Sequence, residues 1–396
     1  MRGRGARAST RLGGRAATSR PRRRSRRGRA RRRNGTPSDA PARAYPAGVA
    51  VTKPFAILGA TGYTGGLVAE RARALGLPLR LVGRRRGALD AIAVAGDEVR
   101  VADARDERSL REAFDGAFAV ASTAGPFSDL GHAPLAAAIA CGAHYLDTSG
   151  EQGFSRAVYD EFGGRAEAAG VVALTAFGFD YVPGDLAARL AADGLEPLDE
   201  VLVAYSVSRM AASAGTRRTI ARVMSSGHTA WEGGRRIASS FGASTRTVRF
   251  PFGSASVVEW SGTEPLTVPR HTQVQRVRSY IRAPRVAAKT AGVAKLAAPL
   301  IRLTGHIGGG PDEARRAKTR FVVVAEAHGP NGSRRVVLRG SDVYGLTALL
   351  VARGAEALRD GAARGGGALA PAEAFDARAL IEKLAPLLEL DAVEDV

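Results

Sequence analysis

The chain has 396 residues, 45% of them hydrophobic, which is enough for two domains with sizeable cores. Its net charge of +20 would suit a nucleic-acid-binding protein, but residues 1–50 hold 16 arginines against a single acid, Asp39. From Val51 onward 42 basic residues stand against 37 acidic ones. The folded part is therefore only mildly basic, and we expect no specific nucleic-acid binding from it.

Residues 1–50 form an arginine-rich extension that we predict to be disordered, because its charges repel one another and it has little apolar surface to bury. Three interpretations compete. The extension binds nucleic acid or an anionic surface, it is a transit peptide, or it precedes a true start near Val49 or Val51. We favour the last, since Arg, Ala, Gly and Pro are the residues that GC-rich codons encode.

The chain has one cysteine, Cys141, so it has no internal disulfide. Its small apolar neighbours favour a buried hydrophobic role over a nucleophilic one. No apolar run approaches the about 20 residues of a membrane span, and no secretory signal is recognisable. We therefore expect a cytoplasmic protein.

From residue 54 the chain alternates short apolar runs with helical patterns, which predicts a Rossmann-type, doubly wound parallel sheet over residues 51–185. Runs that are apolar on both faces suit strands buried under helices. Asp106 is the expected N-cap of one helix. The predicted strands are 55–59, 79–83, 98–103, 118–125, 144–150 and 171–177, and the predicted helices are 65–76, 86–94, 106–114, 133–142 and 159–170.

Beyond residue 185 strands follow one another without crossover helices, which predicts an antiparallel α+β domain over 186–340. An Asn-Gly turn at 331–332 predicts a hairpin between its last two strands. Over 341–396 we predict C-terminal helices that pack back on the first domain, at 344–358 and 377–390. The strands predicted for the α+β domain are 201–210, 246–250, 254–260, 320–328 and 334–342, with a helix at 215–227.

The turn after the first strand carries the strongest motif. Gly59, Gly62 and Gly65 have the G-x-x-G-x-x-G spacing, which allows a tight turn, close approach of a pyrophosphate, and close helix–strand packing. The helix N-terminus behind them offers unpaired amides to a phosphate. We therefore predict that this turn binds a dinucleotide. The other residues expected to contribute are Thr61, Tyr63 and Thr64; the alternative is an ordinary strand–helix turn.

The end of the second strand indicates which dinucleotide is bound. NAD-selective proteins usually place an acid there, whereas this chain has Arg84 and Arg85, followed by Arg86. Guanidinium groups favour a 2′-phosphate, so we predict NADP; a solvated basic turn is the alternative. Asp103 either meets the adenine or caps its own turn. After the fourth strand, we expect a loop near the nicotinamide half of the cofactor, made of Ala124, Gly125 and Pro126.

Four motifs in order, "GATGYTGG", "STAGPF", "GAHYLDTSGE" and "GFDYVPGDLAA", make the chain resemble the saccharopine dehydrogenase-like oxidoreductases, which include the trans-acting enoyl reductases. The resemblance covers about 51–396, and "GTRRT" and "GGGPDEARR" also look like family landmarks. It implies an NADP-binding Rossmann domain, a mixed second domain with the substrate cleft, and C-terminal helices that return to the first domain. The chain departs from the family pattern at "SDVYGLTA", which keeps Asp342 and Tyr344 but lacks a Pro-Gly pair.

Several chemistries lack their residues. The sequence has no Tyr-x-x-x-Lys pair, no zinc-ligand spacing, no P-loop and no G-x-S-x-G motif. The candidates for substrate contact near the sheet edge are Asp147, Glu151, Asp180 and Asp185, each with a structural alternative that we favour for Asp180. Tyr181 and His132 are further candidate proton donors with structural alternatives. We assign no catalytic residue and expect no metal.

The sequence thus predicts an NADPH-dependent oxidoreductase acting on a small molecule, a hydrophobic C=C or C=O compound or an imine. The alternative is an NADP(H)-binding sensor or interaction protein without turnover. The segment 282–310 is either a packed helix, which we favour, or a basic amphipathic helix at a substrate tunnel or membrane surface. A peripheral lipid contact and a homodimer are open alternatives for its partners.

Overall fold

The computed structural model describes residues 53–209, 213, 227–283 and 310–396. The arginine-rich extension, the predicted helix at 215–227 except for Gly227, and the segment 282–310 except for its end residues lie outside this part of the chain.

The first sheet follows the predicted alternation. Its strands from this region are all parallel and lie in the order β6-β5-β4-β1-β2-β3. The apolar runs place β1 in the middle, with all four of its residues buried. The strands are β1 (Phe55–Leu58), β2 (Leu79–Gly83), β3 (Glu98–Val101), β4 (Ala119–Ser122), β5 (His144–Asp147) and β6 (Val172–Leu174).

Helices connect these strands and cover both faces of the sheet. Asp106 caps α3 as predicted, because its side chain accepts a hydrogen bond from the Arg108 amide at 3.1 Å. One π turn, Val158–Phe162, lies between α6 and α7. The helices are α1 (Tyr63–Ala74), α2 (Arg86–Asp90), α3 (Glu107–Phe114), α4 (Phe127–Leu130), α5 (His132–Ala140), α6 (Gln152–Ala157) and α7 (Gly163–Ala168).

The second sheet is mixed rather than wholly antiparallel, because β12 runs parallel to β7. The sequence prediction missed β8, β9 and β12, because arginines interrupt the apolar residues of β9 and β12 and β8 has only two apolar residues. The strands are β7 (Leu198–Ser208), β8 (His228–Glu232), β9 (Arg235–Ser239), β10 (Thr245–Phe250), β11 (Gly253–Glu259), β12 (Val274–Arg282), β13 (Arg320–Gly329) and β14 (Gly332–Ser341).

The hairpin predicted between the last two of these strands is present, with a different centre. Gly329 pairs with Gly332, so the two-residue turn consists of Pro330 and Asn331 rather than the Asn-Gly pair. Gly332 opens β14 with φ +129°, a conformation that favours glycine. Three helices accompany this region: α8 (Val182–Ala192), α9 (Glu264–His271) and α10 (Glu313–Arg316).

The C-terminal region contributes to both sheets. α11 (Val343–Arg359) packs against α1 on the first sheet, β15 (Gly367–Ala368) pairs with β6, and α12 (Pro371–Ala374) follows. The helix predicted at 377–390 is wrong in its second half: α13 (Ala377–Glu382) ends early, and β16 (Leu388–Asp395) pairs with β14. Pro386 cannot continue the helix, and the following residues alternate apolar and acidic side chains with a strand period.

One continuous apolar core joins the two sheets. It runs from one face of the first sheet through α1, α8 and α11 to β7 and β13 of the second. A separate cluster lies under α3 and α5 on the opposite face of the first sheet. α8 follows β6 and packs on β7, β13 and β14, so the first sheet adjoins the second sheet at the end of β6. The predicted domain boundaries at 185 and 340 remain predictions.

Candidate cofactor and substrate site

The glycine turn after β1 is built for close backbone approach. Gly59 has φ +86°, and a Cβ on Gly65 would lie 2.2 Å from the Gly59 carbonyl oxygen. Gly62 is the N-cap of α1, with no side-chain cap. The first amides of a helix have no partner within the helix, so those of Tyr63 and Thr64 can donate to a phosphate. The turn is therefore shaped to hold a pyrophosphate against the backbone, in space that side chains at the glycine positions would fill.

The loop after β4 meets this turn. Thr123 donates from its hydroxyl to the Leu58 carbonyl at 3.0 Å, and a Cβ on Gly59 would lie 2.8 Å from the same hydroxyl. Ala124 is also adjacent, because its amide nitrogen would lie 3.3 Å from that Cβ. The structure thus brings the predicted loop beside the glycine turn, at the point where strand order reverses.

The two arginines predicted to select the cofactor are exposed at the end of β2. Within the described residues, Arg84 and Arg85 have no ion-pair partner, whereas Arg86 pairs with Asp90 at 2.9 Å. Two guanidinium groups are therefore available to an anion. Asp103, one strand further, accepts a hydrogen bond from the Arg105 amide at 2.9 Å, so the predicted turn cap is present.

Tyr63 differs from its neighbours, because its side chain turns away from the glycine turn. Its hydroxyl donates to the Pro311 carbonyl at 2.6 Å, and its ring meets Tyr344 edge-on at 5.1 Å. Arg316 completes the contact through an ion pair with Asp342 at 3.0 Å, in which each side chain is 10% exposed. These contacts hold α10 and α11 against the N-terminus of α1.

Asp342 also explains the local turn at which the sequence departs from the pattern of the family that it resembles. The residue has φ +47°, and its side chain accepts a hydrogen bond from the Gly345 amide at 2.9 Å to cap α11. Aspartate tolerates the left-handed conformation better than most residues. The turn therefore forms without a Pro-Gly pair.

Glu151 and Asp147 hold loops at the sheet edge. The Glu151 carboxylate accepts hydrogen bonds from the amides of Phe127 and Ser128, at 2.7 and 3.1 Å, and from the Ser128 hydroxyl. Asp147 accepts from the amides of Ser149 and Ala176, at 2.8 and 2.9 Å. Burial raises the pKa of Asp147 to about 7 despite these bonds. Both carboxylates stabilise loops rather than facing a cleft.

Asp185 is likewise engaged inside the protein. It contacts the His271 ring nitrogen at 2.9 Å and accepts a hydrogen bond from the Ala372 amide at 2.8 Å. Burial favours a higher pKa, but His271 and the hydrogen bonds outweigh burial and lower the pKa of Asp185. Asp185 therefore ties α8 to α9 and α12.

Asp180 is the one predicted acid that presents its side chain to solvent. It lies in the loop between β6 and α8, where Phe179 and Tyr181 on either side are buried. Among the described residues no hydrogen bond or ion pair engages its carboxylate. Tyr181 donates its hydroxyl to the Gly150 carbonyl at 2.8 Å, so its proton is already used.

The remaining candidates have structural contacts. His132 packs edge-on against Phe154 at 5.3 Å. Cys141 is half-buried rather than buried, and burial raises the pKa of its thiol. In the described ranges no cluster of three or more His, Cys, Asp or Glu side chains could hold a metal ion. No helix there is long and apolar enough to cross a bilayer.

Comparisons with known proteins agree with this geometry. A family model described as NAD(P)H-binding matches residues 59–172. Apo saccharopine dehydrogenase (L-Glu forming) from Saccharomyces cerevisiae shares the fold, with a TM-score of 0.57 and 13% identity over 87% of this chain and 100% of that one. Residues 59–172 are thus similar to an NAD(P)H-binding family, and the chain shares the fold of saccharopine dehydrogenase.

Curated relatives match part of this chain. A "Lipid droplet localized protein" from Caenorhabditis elegans is 32% identical over 144 residues, which are 33% of this chain and 34% of that protein. A "Trans-acting enoyl reductase" from Mycobacterium ulcerans (strain Agy99) is 32% identical over 182 residues, 42% of this chain and 44% of that protein. The matches span less than half of either relative.

Sequence reasoning missed the contacts that join the two sheets of this chain and their helices. Tyr63 and Pro311 are 248 positions apart, and nothing local to either predicts their hydrogen bond. The Gln152 side-chain amide donates to the carbonyls of Thr229 and Gly262, at 2.9 and 2.6 Å, and so ties α6 to the second sheet. The run "GGGPDEARR" was the available signal for the first contact; Gln152 had none.

Proposed function

We propose that this chain is an NADPH-dependent oxidoreductase that reduces a hydrophobic C=C or C=O compound or an imine. The observation that carries the proposal is the glycine cradle with two unpaired guanidinium groups at the end of the neighbouring strand. The cradle suits the pyrophosphate of either dinucleotide. Arg84 and Arg85 favour the one with a 2′-phosphate, because arginine binds phosphate through paired donors.

The residues have separate tasks in this proposal. The α1 amides and the glycine turn hold the pyrophosphate, and the loop at Thr123–Pro126 borders the nicotinamide half. When bound, a reduced nicotinamide supplies a hydride, which carries two electrons and one hydrogen nucleus. The protein then has to orient the acceptor, exclude water and provide a proton.

Two observations support an apolar substrate. Tyr181 stacks on Trp260 with ring centroids 5.9 Å apart, and Tyr205 meets the same indole at 5.8 Å, so aromatic rings are concentrated beside the Asp180 loop. Sites for apolar small molecules are lined mainly by hydrophobic and aromatic side chains; Tyr181 and Tyr205 are buried, and the part-buried Trp260 is the member of this cluster open to such a molecule. The similarity to a relative named trans-acting enoyl reductase favours a C=C substrate within the proposed range.

The cofactor preference is tested by calorimetry with the full chain. We expect NADPH to bind at least about 10-fold tighter than NADH, since each charge-assisted hydrogen bond contributes about 1.5–3 kcal/mol. In the R84A/R85A variant the Kd for NADPH should rise about 10- to 100-fold while that for NADH changes little. Arg86→Ala is the matched control, because Arg86 is in the same turn but pairs with Asp90. Equal affinities in the wild type would refute the NADPH preference.

Turnover is tested separately by following NADPH absorbance with trans-2-enoyl thioesters, aldehydes and imines, and by mass spectrometry of the product. With NADPH deuterated at C4, one deuterium should appear in the product. If NADPH binds tightly but none of these acceptors is reduced, the result favours the alternative, an NADP(H)-binding sensor without turnover.

A further inference from the structure

Asp180 differs from the three other carboxylates near the edge of the first sheet. Glu151, Asp147 and Asp185 each accept hydrogen bonds from backbone amides at 2.7–3.1 Å. Asp180 has no hydrogen bond or ion pair with any described residue. A carboxylate that caps nothing and pairs with nothing among the described residues is available to act on a ligand.

The loop that carries Asp180 is fixed on both sides. The Phe179 amide donates to the Thr347 hydroxyl at 3.1 Å, and the Tyr181 hydroxyl donates to the Gly150 carbonyl at 2.8 Å. Earlier in the loop Ala176 has φ +54°, which is strained for a residue with a side chain, and Asp147 holds its amide. Strain of this kind is retained where a loop has a required position.

The Asp180 side chain is exposed, and the residues on either side of it, Phe179 and Tyr181, are buried. Burial of this loop raises the pKa of Asp180 to about 6, and among the described residues no cation lowers it. The exposed carboxyl therefore lies at the surface of a tightly packed loop. The titratable groups facing it are the phenols of Tyr181 and Tyr205, whose pKa values burial raises further, so both stay neutral.

The strand order places Asp180 on the side of the sheet where the reacting end of the cofactor would lie. A dinucleotide crosses such a sheet at the switch point between β1 and β4, with its adenosine half over β2. With Arg84 and Arg85 on the adenosine side, the nicotinamide half would extend over β4 and β5 toward β6. Asp180 follows β6, and Tyr181 bonds the loop after β5 through Gly150.

We propose that Asp180 faces the nicotinamide end of the bound cofactor and supplies the proton that accompanies hydride transfer. This inference rests on the proposed function. The acceptor gains a hydride at one atom of its double bond, and the electron pair of that bond moves to the other atom. That atom takes the proton of the Asp180 carboxylic acid, and the carboxylate regains a proton from water, so one NADPH and one proton are consumed per reduction.

The test uses binding rather than turnover. Kd values for NADP⁺ and NADPH are measured by calorimetry on the full chain from pH 5 to 8, and their ratio is taken at each pH. Both forms carry the same phosphates, so the ratio reports on the charge of the nicotinamide ring. An ionised Asp180 near the ring favours the cationic NADP⁺, so NADP⁺ should gain affinity relative to NADPH as pH rises through about 6.

A cation within about 4–6 Å lowers a carboxyl pKa by about 1–3 units, so the ratio should change about fivefold or more. Asp180→Asn should abolish this change, and Asp180→Glu should restore part of it. Asp193→Asn, at the opposite end of α8, should behave as the wild type. A pH-independent ratio in the wild type, or an unchanged slope in Asp180→Asn, would overturn the inference. Failure of the proposed function gives a different result, because NADPH would then bind no tighter than NADH or would never be consumed.

Discussion

Polar side chains at the edge of the first sheet beside the glycine turn and polar side chains buried against the second sheet have opposite environments. At the edge, Arg84, Arg85 and Asp180 are exposed and have no partners among the described residues. Against the second sheet, Glu264 at the start of α9 is fully buried, and its carboxylate accepts hydrogen bonds from the hydroxyls of Tyr205 and Ser279, at 2.8 and 2.6 Å. Groups reserved for a ligand stay unpaired, whereas groups that stabilise the protein are satisfied within it.

The difference shows where substitutions should act. At the edge, removing a side chain should change ligand affinity with little effect on stability, because nothing in the protein depends on it. In the second sheet, removing a carboxylate should change stability and its pH dependence. Backbone positions in the glycine turn are the exception at the edge, because they affect both.

The largest effect is expected at Gly65. A Cβ there would lie 2.2 Å from the Gly59 carbonyl oxygen and 2.8 Å from its carbonyl carbon, so β1 and α1 would have to separate. Gly65→Ala should cost at least about 3 kcal/mol of unfolding free energy and abolish NADPH binding. Thermal or urea unfolding and calorimetry measure the two effects.

Gly66→Ala is the matched control for this prediction. The nearest atom to its added Cβ is the Ala60 carbonyl oxygen at 3.8 Å, so it fits without adjustment. Since alanine favours a helix over glycine by about 1 kcal/mol, this variant should be as stable as the wild type or more so. Similar losses in both variants would contradict the close-packing role of Gly65.

A second prediction concerns the pH dependence of stability that the carboxyl group of Glu264, buried against the second sheet, should cause. Burial raises the pKa of Glu264 to about 7, from 4.5 for an unperturbed glutamate. The folded state therefore favours the protonated form, so this contribution is fully present below pH 4.5 and is lost as pH rises to about 7. The loss is about 3 kcal/mol, and Glu264→Gln should remove it from urea unfolding measured across this range.

Glu259, the last residue of β11, should change stability with pH in the opposite direction. Burial favours a higher pKa, but the hydrogen bonds from His228, Ser239 and Ser244 outweigh it and lower the pKa of Glu259. Its contribution to stability should be present above the unfolded pKa and lost as pH falls. If Glu259→Gln and Glu264→Gln changed the pH profile in the same direction, the assigned protonation states would be wrong.

The same contrast explains how much the sequence could predict. All six strands of the first sheet up to residue 185 were found, because buried parallel strands are continuous apolar runs between helical patterns. In the second sheet, β8, β9 and β12 were missed because none of them is a continuous apolar run: arginines interrupt β9 and β12, and β8 has only Ala230 and Trp231 as apolar residues. The helix predicted at 377–390 extended too far because leucines near its end suit a strand equally well.

In the candidate site, too, some features could be predicted from the sequence and others could not. Glycine spacing and the arginines at the end of β2 are local signals, and the structure places them at one sheet edge. The partner of a carboxylate is not local: Asp185 meets His271, 86 positions later. Sequence position therefore predicted that four acids lie at the sheet edge. It did not show that three of them accept hydrogen bonds from described residues and that Asp180 does not. The structural role that we favoured for Asp180 stays a prediction, and the free carboxylate argues against it.

The smallest effect should come from Thr123, where the loop after β4 joins the glycine turn. Its hydroxyl donates to the Leu58 carbonyl at 3.0 Å, but that oxygen also accepts from the Thr123 amide at 3.0 Å. Thr123→Val keeps the shape and leaves the carbonyl satisfied, so it should cost only about 1 kcal/mol. NADPH affinity should fall a few-fold, because the loop is held less firmly, and Thr123→Ser should restore it. A loss of stability above about 3 kcal/mol without a change in affinity would place this hydroxyl with the structural groups of the second sheet instead.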